Sequence, residues 1–541
     1  MSREFGKYTG SLPHETLSIC PECKRVLKAR VFAEKNNVFI ERKCPKHGNF
    51  KEVYWENAEY YNKMRKFGSE EAKIQNPNTG FVGENGESCP FDCGLCSNHK
   101  SHTGLANIAI TNRCDLSCWY CFFYAKEGEP IYEPSLELID KMLANLRDQK
   151  PVSTNAIQLT GGEPTLRNDL EEIVKLCVKR GFEHVQLNTT GISLGFKKGL
   201  AERMKKAGVG TAYVSFDGTT KKTNPKNHWE IPYALKECEK AGIGVVLVPT
   251  LIKGINDSDI GNIINFALNN LQVVRGVNFQ PVSFVGRISK KERNARRITI
   301  PKAIELIEEQ TNAEIKMEDF YVVPTIHSFT RFVEALTGHK QYDLSVHFAC
   351  GAATYLFLDG KKVIPISRFV DIEGFLEFLD GQSAELEKGK SKILTGAKLL
   401  LNINRFIDRS KQPSFLNFGK LLFDALVKHD YNALGKIHEK SLFIGMMHFM
   451  DPYNYDVERV QRCDIHYAMP DGRIIPFCSF NVLPEVYRDK VQKQYSISWK
   501  EWKKTRPGID PSFKYKRNIK ELEASEIYKK AYTGLTEHFK K

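Results

Sequence analysis

No stretch of this chain approaches the ~18 to 20 consecutive apolar residues that a bilayer-spanning helix requires. The opening MSREFGKYTG likewise lacks the apolar core of a secretory leader. The first absence excludes a protein that crosses a membrane by a helix, and the second points to the cytoplasm. Acidic residues are the minority, 65 against 79 Lys plus Arg, for a net charge of +14. That excess is spread along the chain, densest in KEWKKTR and KYKRNIK toward the C-terminus. It lacks the clustering that phosphate neutralisation uses, so nucleic acid is not expected as a partner. A peripheral contact with the inner face of an anionic membrane is compatible with such charge. At 541 residues the chain has room for roughly two to four domains and a large core. Cysteine is what it has in plenty. Fourteen cysteines without a leader read as reduced metal ligands in a cytosol, not as disulfides.

Three of them, Cys114, Cys118 and Cys121, stand in the run TNRCDLSCWYC. A CxxxCxxC loop supplies three thiolates to a [4Fe-4S] cluster and leaves the fourth iron open to substrate. The alternative, a structural zinc knuckle, closes with four ligands and pairs its cysteines as CxxC. From residue 158 the chain reads QLTGGEPT, an apolar run ending in adjacent glycines that permit close backbone approach. Loop and glycine pair together resemble the radical S-adenosylmethionine (SAM) superfamily. The resemblance implies that the open iron chelates SAM and passes it one electron, producing methionine and a 5′-deoxyadenosyl radical. It further implies that Tyr120 and the backbone after the cluster contact adenine, and that Gly161, Gly162 and Glu163 receive the methionine amino group. An open low-potential cluster suggests an anaerobe, and a ferredoxin- or flavodoxin-type electron donor as partner.

Between residues 105 and 285 six β-branched runs alternate with amphipathic stretches: LANIAIT, AIQLT, HVQLNTTG, TAYVSF, GVVLVPTL and VNFQPVS are the strands. The pattern predicts α/β architecture, a partial (β/α)6 TIM-like barrel with its chemistry at the C-terminal strand ends. That rule places Asn188, Thr189, Ser215, Asp217, Thr250 and Gln280 around one mouth. The resemblance assigns them to the SAM ribose, carboxylate and adenine. Ordinary turn and cap duties are the competing reading for each. Cys177 and Cys238 fall on apolar helical faces and read as small buried hydrophobes.

The other cysteines form further triplets. Cys20, Cys23 and Cys44, with His47, make two knuckles of a tetrahedral iron or zinc site of rubredoxin or zinc-ribbon type. Cys89, Cys93 and Cys96 repeat the CxxxCxxC spacing and read as an auxiliary [4Fe-4S] cluster, with His99, His102 or a distant Cys as its fourth ligand. Cys350 and Cys463 open two hairpins turned at Asp359-Gly360 and Asp471-Gly472, and Cys478 closes the second. This arrangement resembles the SPASM or twitch auxiliary-cluster domain that follows many radical SAM barrels, and the partition of its cysteines stays open.

The expected domains are a single-metal module at 1–70, a cluster loop at 71–104 and the barrel at 105–340. Auxiliary-cluster hairpins follow at 341–490 with a helical insertion at 367–445, then a basic helical tail at 491–541. Residues 384–440 hold eleven Lys plus Arg against six acidic residues. That composition suits either an interfacial amphipathic helix or a cap on the barrel mouth. CPEC…CPKHG, CPFDCGLCSNHKSH and IGMMHFMDPYNYDVERVQRC together resemble the archaeal tetraether lipid synthase group, some members of which are described as radical SAM pterin methyltransferases. The resemblance implies coupling of unactivated methyl termini on archaeal phospholipid chains, with an auxiliary-cluster sulfide holding the first carbon. In that reading the insertion and FYVVPTIHSF (320–329) line a lipid tunnel, and His448, Asp451 and Asn454 position substrate or close a cluster. The alternative is radical modification of a small pterin-like heterocycle in a short, polar pocket. A non-catalytic iron–sulfur electron carrier is the distant third.

Overall fold

The computed structural model describes residues 12–68, 71–81, 88–121, 123, 129–285, 288–427 and 440–539. The first module is a four-stranded antiparallel sheet of His14–Ile19, Val26–Glu34, Asn37–Cys44 and Gly48–Glu56, paired in sequence order. Alternation puts Val38, Ile40, Arg42 and Cys44 on its buried face. Both metal knuckles fall at one end, where Ile19 pairs with Val26 and Cys44 with Gly48. The module docks on residues 452–456: Ser18 Oγ donates to the Tyr455 carbonyl, Arg42 to the Pro452 carbonyl and Tyr54 to Asp456.

The six predicted barrel strands form as Leu105–Thr111, Ala156–Gly161, His184–Thr189, Val209–Ser215, Gly244–Val248 and Val274–Pro281. Neighbours in that order are parallel. Near-continuous burial of Ala106–Thr111 and Ile157–Thr160 is what a sheet covered on both faces demands. Helices Leu136–Arg147, Leu170–Lys179, Leu200–Ala207, Ile231–Ala241 and Ile260–Leu268 supply the outer cover.

The C-terminal part corrects the expected domain plan. Both hairpins form, but not as a separate SPASM-like unit. Strand Ile465–Ala468 joins the barrel sheet beside Leu105–Thr111, and Ser441–Met447 joins it beside Val274–Pro281, both parallel. Gly351–Asp359 then pairs antiparallel with Ser441–Met447. The sheet is therefore extended at both edges, where the apolar faces of these strands join the barrel core.

Residues 428–439 of the insertion lie outside the described residues; the described part packs on helix His327–Thr337 and the first hairpin on one side and is exposed on the other. Phe375, Leu379, Leu399 and Ile403 pack with Phe332 and Val333 of helix His327–Thr337. On helix Lys392–Asn402, Ile393, Leu394 and Leu401 are 84%, 70% and 79% exposed. Of the stretch expected to line a lipid tunnel, Phe320, Val322, Pro324 and Ser328 are buried and Ile326 is exposed. Among the described residues no helix is long and apolar enough to cross a membrane. The tail folds back on the barrel, with Trp502 fully buried under the Arg113 and Arg506 guanidiniums.

Candidate active site

Parallel strands deliver their C-terminal ends to one mouth, and there a cavity of about 200 Å³ opens. Cys114, Cys118, Cys121, Tyr120, Gly162, Asn188, Thr189, Ser215, Thr250 and Gln280 all line it. Gly162 has no room for a side chain: a Cβ there would sit 2.0 Å from the Arg113 carbonyl oxygen, and one on Gly161 2.1 Å from that of Thr111. Three thiols at the rim of a cradle whose floor is glycine backbone fit a three-cysteine cluster with SAM laid across it.

Three of the expected contacts lie elsewhere. Gly161 and Glu163 do not line the cavity. Glu163 is fully buried behind it, and its carboxylate accepts from Thr165 N at 3.0 Å, Thr165 Oγ1 at 2.6 Å, Thr189 Oγ1 at 2.8 Å and Thr190 N at 2.7 Å. It staples the loop after the second strand to the end of the third. Asp217 faces a neighbouring cavity of about 350 Å³. It accepts from the Tyr120 hydroxyl at 2.5 Å and from Thr250 N at 2.9 Å, and pairs with Lys226 at 2.7 Å. Burial first, then Asp217, pushes the Tyr120 phenol well above its ordinary pKa, so it stays a donor.

Several site residues gave no sequence signal. Lys226 lines the cavity and donates to the Tyr120 hydroxyl, yet lies well beyond its strand end. Lys514 of the tail donates to the Cys114 and Leu116 carbonyls at 2.8 and 2.9 Å, and Tyr515 N to that of Asp115. Arg517 pairs with Glu230 at 2.8 Å and clamps the tail there. Burial, with Glu163 second, raises the Asp115 carboxyl to about 7, and burial also raises the Cys114 thiol.

In the N-terminal module the ligand atoms of Cys20, Cys23, Cys44 and His47 all lie within 4.8 Å of one another. His47 Nδ1 is 3.4 Å from the Cys20 sulfur and 3.5 Å from that of Cys44. Against desolvation, which opposes it, the backbone N–H groups of Lys46 and His47 bring the Cys44 thiol down to about 6. Four convergent soft donors fit one tetrahedral ion.

The curl of the extended sheet draws Cys350, Cys463 and Cys478 together from its two edges. Burial raises all three thiols, and Cys350 adds to the rise at the other two. Fully buried Arg459 donates to Cys350 Sγ at 3.3 Å and to the His448 carbonyl at 2.7 Å. Cys89, Cys93 and Cys96 form a second group beside it, joined through Ser479, whose hydroxyl is 3.8 Å from Cys93 Sγ. His99 Nε2 is engaged by the Cys463 carbonyl at 2.8 Å and by His466 at 3.1 Å. Asp451 pairs with Arg297 at 3.0 Å, and Asn454 Oδ1 accepts from Asp451 N, so these two brace the loop. Cys177 and Cys238 are core, as read.

A fold of parallel βα units with three cysteines over a glycine cradle defines a radical SAM enzyme, and residues 108–267 match the Radical SAM superfamily model. The chain thus uses a [4Fe-4S] cluster and SAM. Residues 12–56 match the HMPTM N-terminal zinc ribbon domain. The 7,8-dihydro-6-hydroxymethylpterin dimethyltransferase of Methanocaldococcus jannaschii is 46% identical over 502 residues, 91% of this chain and 97% of that protein. Within the superfamily, this chain belongs to the family of that methyltransferase. A probable GTP 3′,8-cyclase of Saccharolobus islandicus is 27% identical over 289 residues, 51% of this chain and 87% of its own length. Among solved structures, native anSMEcpe with bound AdoMet aligns with TM-score 0.31 at 14% identity, over 44% of this chain and 67% of that one. The expectation of isoprenoid-chain coupling is overturned by the 46% relative and by the zinc ribbon it shares.

Proposed function

We propose that this protein is a radical SAM methyltransferase acting on a reduced 6-hydroxymethylpterin-type heterocycle. The observation that carries this reading is the match over nine-tenths of the chain to a pterin dimethyltransferase. Its pocket agrees in kind. The cavity on the far side of Cys121 is about 1000 Å³, with Glu22, Lys24, Glu129, Arg488 and Gln492 among its lining, which suits a small polar ring system better than a lipid tail.

In this reading Cys114, Cys118 and Cys121 hold the cluster, which with SAM supplies a 5′-deoxyadenosyl radical for C–H activation. Gly162, Asn188, Thr189, Ser215, Thr250 and Gln280 hold SAM, while Lys226 and Asp217 orient Tyr120 at its edge. Glu163 acts from behind by holding Thr189 and Thr190. Cys89, Cys93 and Cys96, and separately Cys350, Cys463 and Cys478, hold auxiliary clusters, with Arg459 offsetting thiolate charge at the second. A low-potential ferredoxin- or flavodoxin-type protein delivers the electron. Peripheral membrane contact uses the Ile393, Leu394 and Leu401 face, and cosedimentation with anionic vesicles that Leu401→Glu abolishes is the expected sign.

The test is anoxic incubation of the reconstituted protein with dithionite, 7,8-dihydro-6-hydroxymethylpterin and excess SAM, followed by mass analysis. In this reading one SAM molecule is cleaved to the radical, while a second gives up its methyl group and leaves as S-adenosylhomocysteine. Methylated pterin alongside 5′-deoxyadenosine is the expected result. Deoxyadenosine with unmodified pterin refutes the substrate assignment.

A further inference from the structure

Two amides lining the large cavity have an atom without a hydrogen-bond partner: Gln492 at Nε2, and Asn481 at both ends. Asn481 is only 4% exposed and lines this cavity, and neither its Nδ2 nor its Oδ1 has a hydrogen-bond partner. The Tyr467 phenol lies close enough to feel the amide, outside bonding geometry. A buried primary amide with both ends idle pays a desolvation penalty with nothing in the fold to offset it. A ligand in the cavity can supply what this amide lacks, and its backbone is fixed by neighbouring contacts. It sits on helix Phe477–Val482, whose Phe480 stacks on Tyr467 at 4.0 Å and on Phe123 at 6.2 Å. The same helix carries Cys478 inward, so one short element faces the auxiliary thiols and the cavity together.

The other walls define what the amide reads. Cys121 belongs to this cavity and to the smaller one, so a molecule held here abuts the SAM site. Trp119, 62% exposed between Cys118 and Tyr120, and Phe123 offer flat apolar surface to a planar ring. A primary carboxamide presents one acceptor beside one donor. Its complement is a ring edge with a donor beside an acceptor, which is the N3–H and C4 carbonyl edge of a pterin.

We infer that Asn481 is the specificity residue for the heterocycle, with Oδ1 accepting from the ring N3–H and Nδ2 donating to the C4 carbonyl. This rests on the pterin reading above. Sites built to hydrogen-bond a ligand discriminate strongly against analogues lacking the matching group, because their own buried atoms are then left unpaired.

The experiment measures anoxic binding of 6-hydroxymethylpterin and its 3-methyl analogue to the reconstituted protein by pterin fluorescence, with SAM binding followed in parallel. The analogue cannot donate from N3. Wild type should bind the parent compound at least about tenfold tighter than the analogue. Asn481→Leu, and the smaller Asn481→Ser, should bind both compounds weakly and equally while keeping wild-type affinity for SAM, a change that misfolding does not produce. Undiminished preference for the parent compound in both variants overturns the assignment of Asn481 and leaves the pterin reading standing. If wild type binds SAM but neither pterin, the reading itself is overturned, and the role of Asn481 with it.

Discussion

Replacing Glu163 with Gln tests whether this residue holds the SAM site from behind. Oε1 accepts three hydrogen bonds, from Thr165 N, Thr165 Oγ1 and Thr189 Oγ1, and Oε2 one, from Thr190 N at 2.7 Å. A glutamine keeps the three by placing its carbonyl at Oε1, which turns its NH₂ toward the Thr190 N–H. In the opposite orientation the NH₂ can donate to the two threonine hydroxyls but opposes the Thr165 N–H, so either way one backbone donor loses its acceptor. Either orientation loses one bond to a charged acceptor, about 1.5 to 3 kcal/mol, and leaves two buried donors facing each other. The cost is therefore on the order of 2 to 4 kcal/mol, a large share of the ~5 to 15 kcal/mol of a folded domain. Alanine removes all four bonds and should not give folded protein. Because Thr189 and Thr190 line the cavity, Glu163→Gln should also weaken SAM binding by about tenfold for each 1.4 kcal/mol transmitted to it. Anoxic urea unfolding and SAM titration measure both effects. A variant within ~0.5 kcal/mol of wild type, the scatter expected of an inconsequential substitution, would falsify the staple.

Cys114→Ala should abolish reductive SAM cleavage, whereas Cys89→Ala should spare the first cleavage and stop methyl transfer; deoxyadenosine at the normal rate from Cys114→Ala rules that loop out as the SAM-cleaving centre. Cys44→Ala should lose one equivalent of mononuclear metal while the iron held by the barrel loop stays constant, and unchanged metal content from mass spectrometry excludes the ribbon site. His228, whose Nε2 lies 2.9 Å from the Tyr528 hydroxyl, stacks on Tyr532 and is pushed down to about 4, first by burial and then by Lys221. The unfolded imidazole titrates near 6.5, so the tail contact is at full strength above that pH and weakens as pH falls toward 4. The hydrogen-exchange protection factors of Glu526–Tyr532, corrected for the intrinsic rate at each pH, should fall between pH 7 and 5 in wild type and be flattened by His228→Phe; equal protection at both values counts against the reasoning.

Strand and helix order in the barrel was legible because each element carries its own period, and the six runs from LANIAIT to VNFQPVS each overlap an observed strand, with ends that differ by up to three residues. The three-cysteine loop and the Cys20, Cys23, Cys44 and His47 site were legible because their ligands lie on one turn or on paired ones. The strand-end rule placed Asn188, Thr189, Ser215, Thr250 and Gln280 correctly at one cavity. It erred for Asp217, which faces the neighbouring cavity, because spacing does not say which way a carboxylate turns once Tyr120, Thr250 and Lys226 compete for it. The resemblance likewise assigned Glu163 to SAM, whereas its carboxylate is held behind the cavity by four donors. The hairpins were visible, but their destination was not, since a strand's apolar alternation is satisfied equally by its own small sheet and by the edge of a larger one.

What the chain dictates by itself is thus everything decided within a few residues: periodicity, knuckle spacing, glycine where backbone must approach backbone. Tertiary structure alone decided which distant segments meet. It brought Cys350 to Cys463 and Cys478 across the curled sheet, set Lys514 on the carbonyls of the cysteine loop, and turned Asn481 into a cavity walled by that loop. The physical reason is that such encounters depend on sheet curvature and on which apolar faces find cover, quantities summed over the whole fold and written in no single stretch of it.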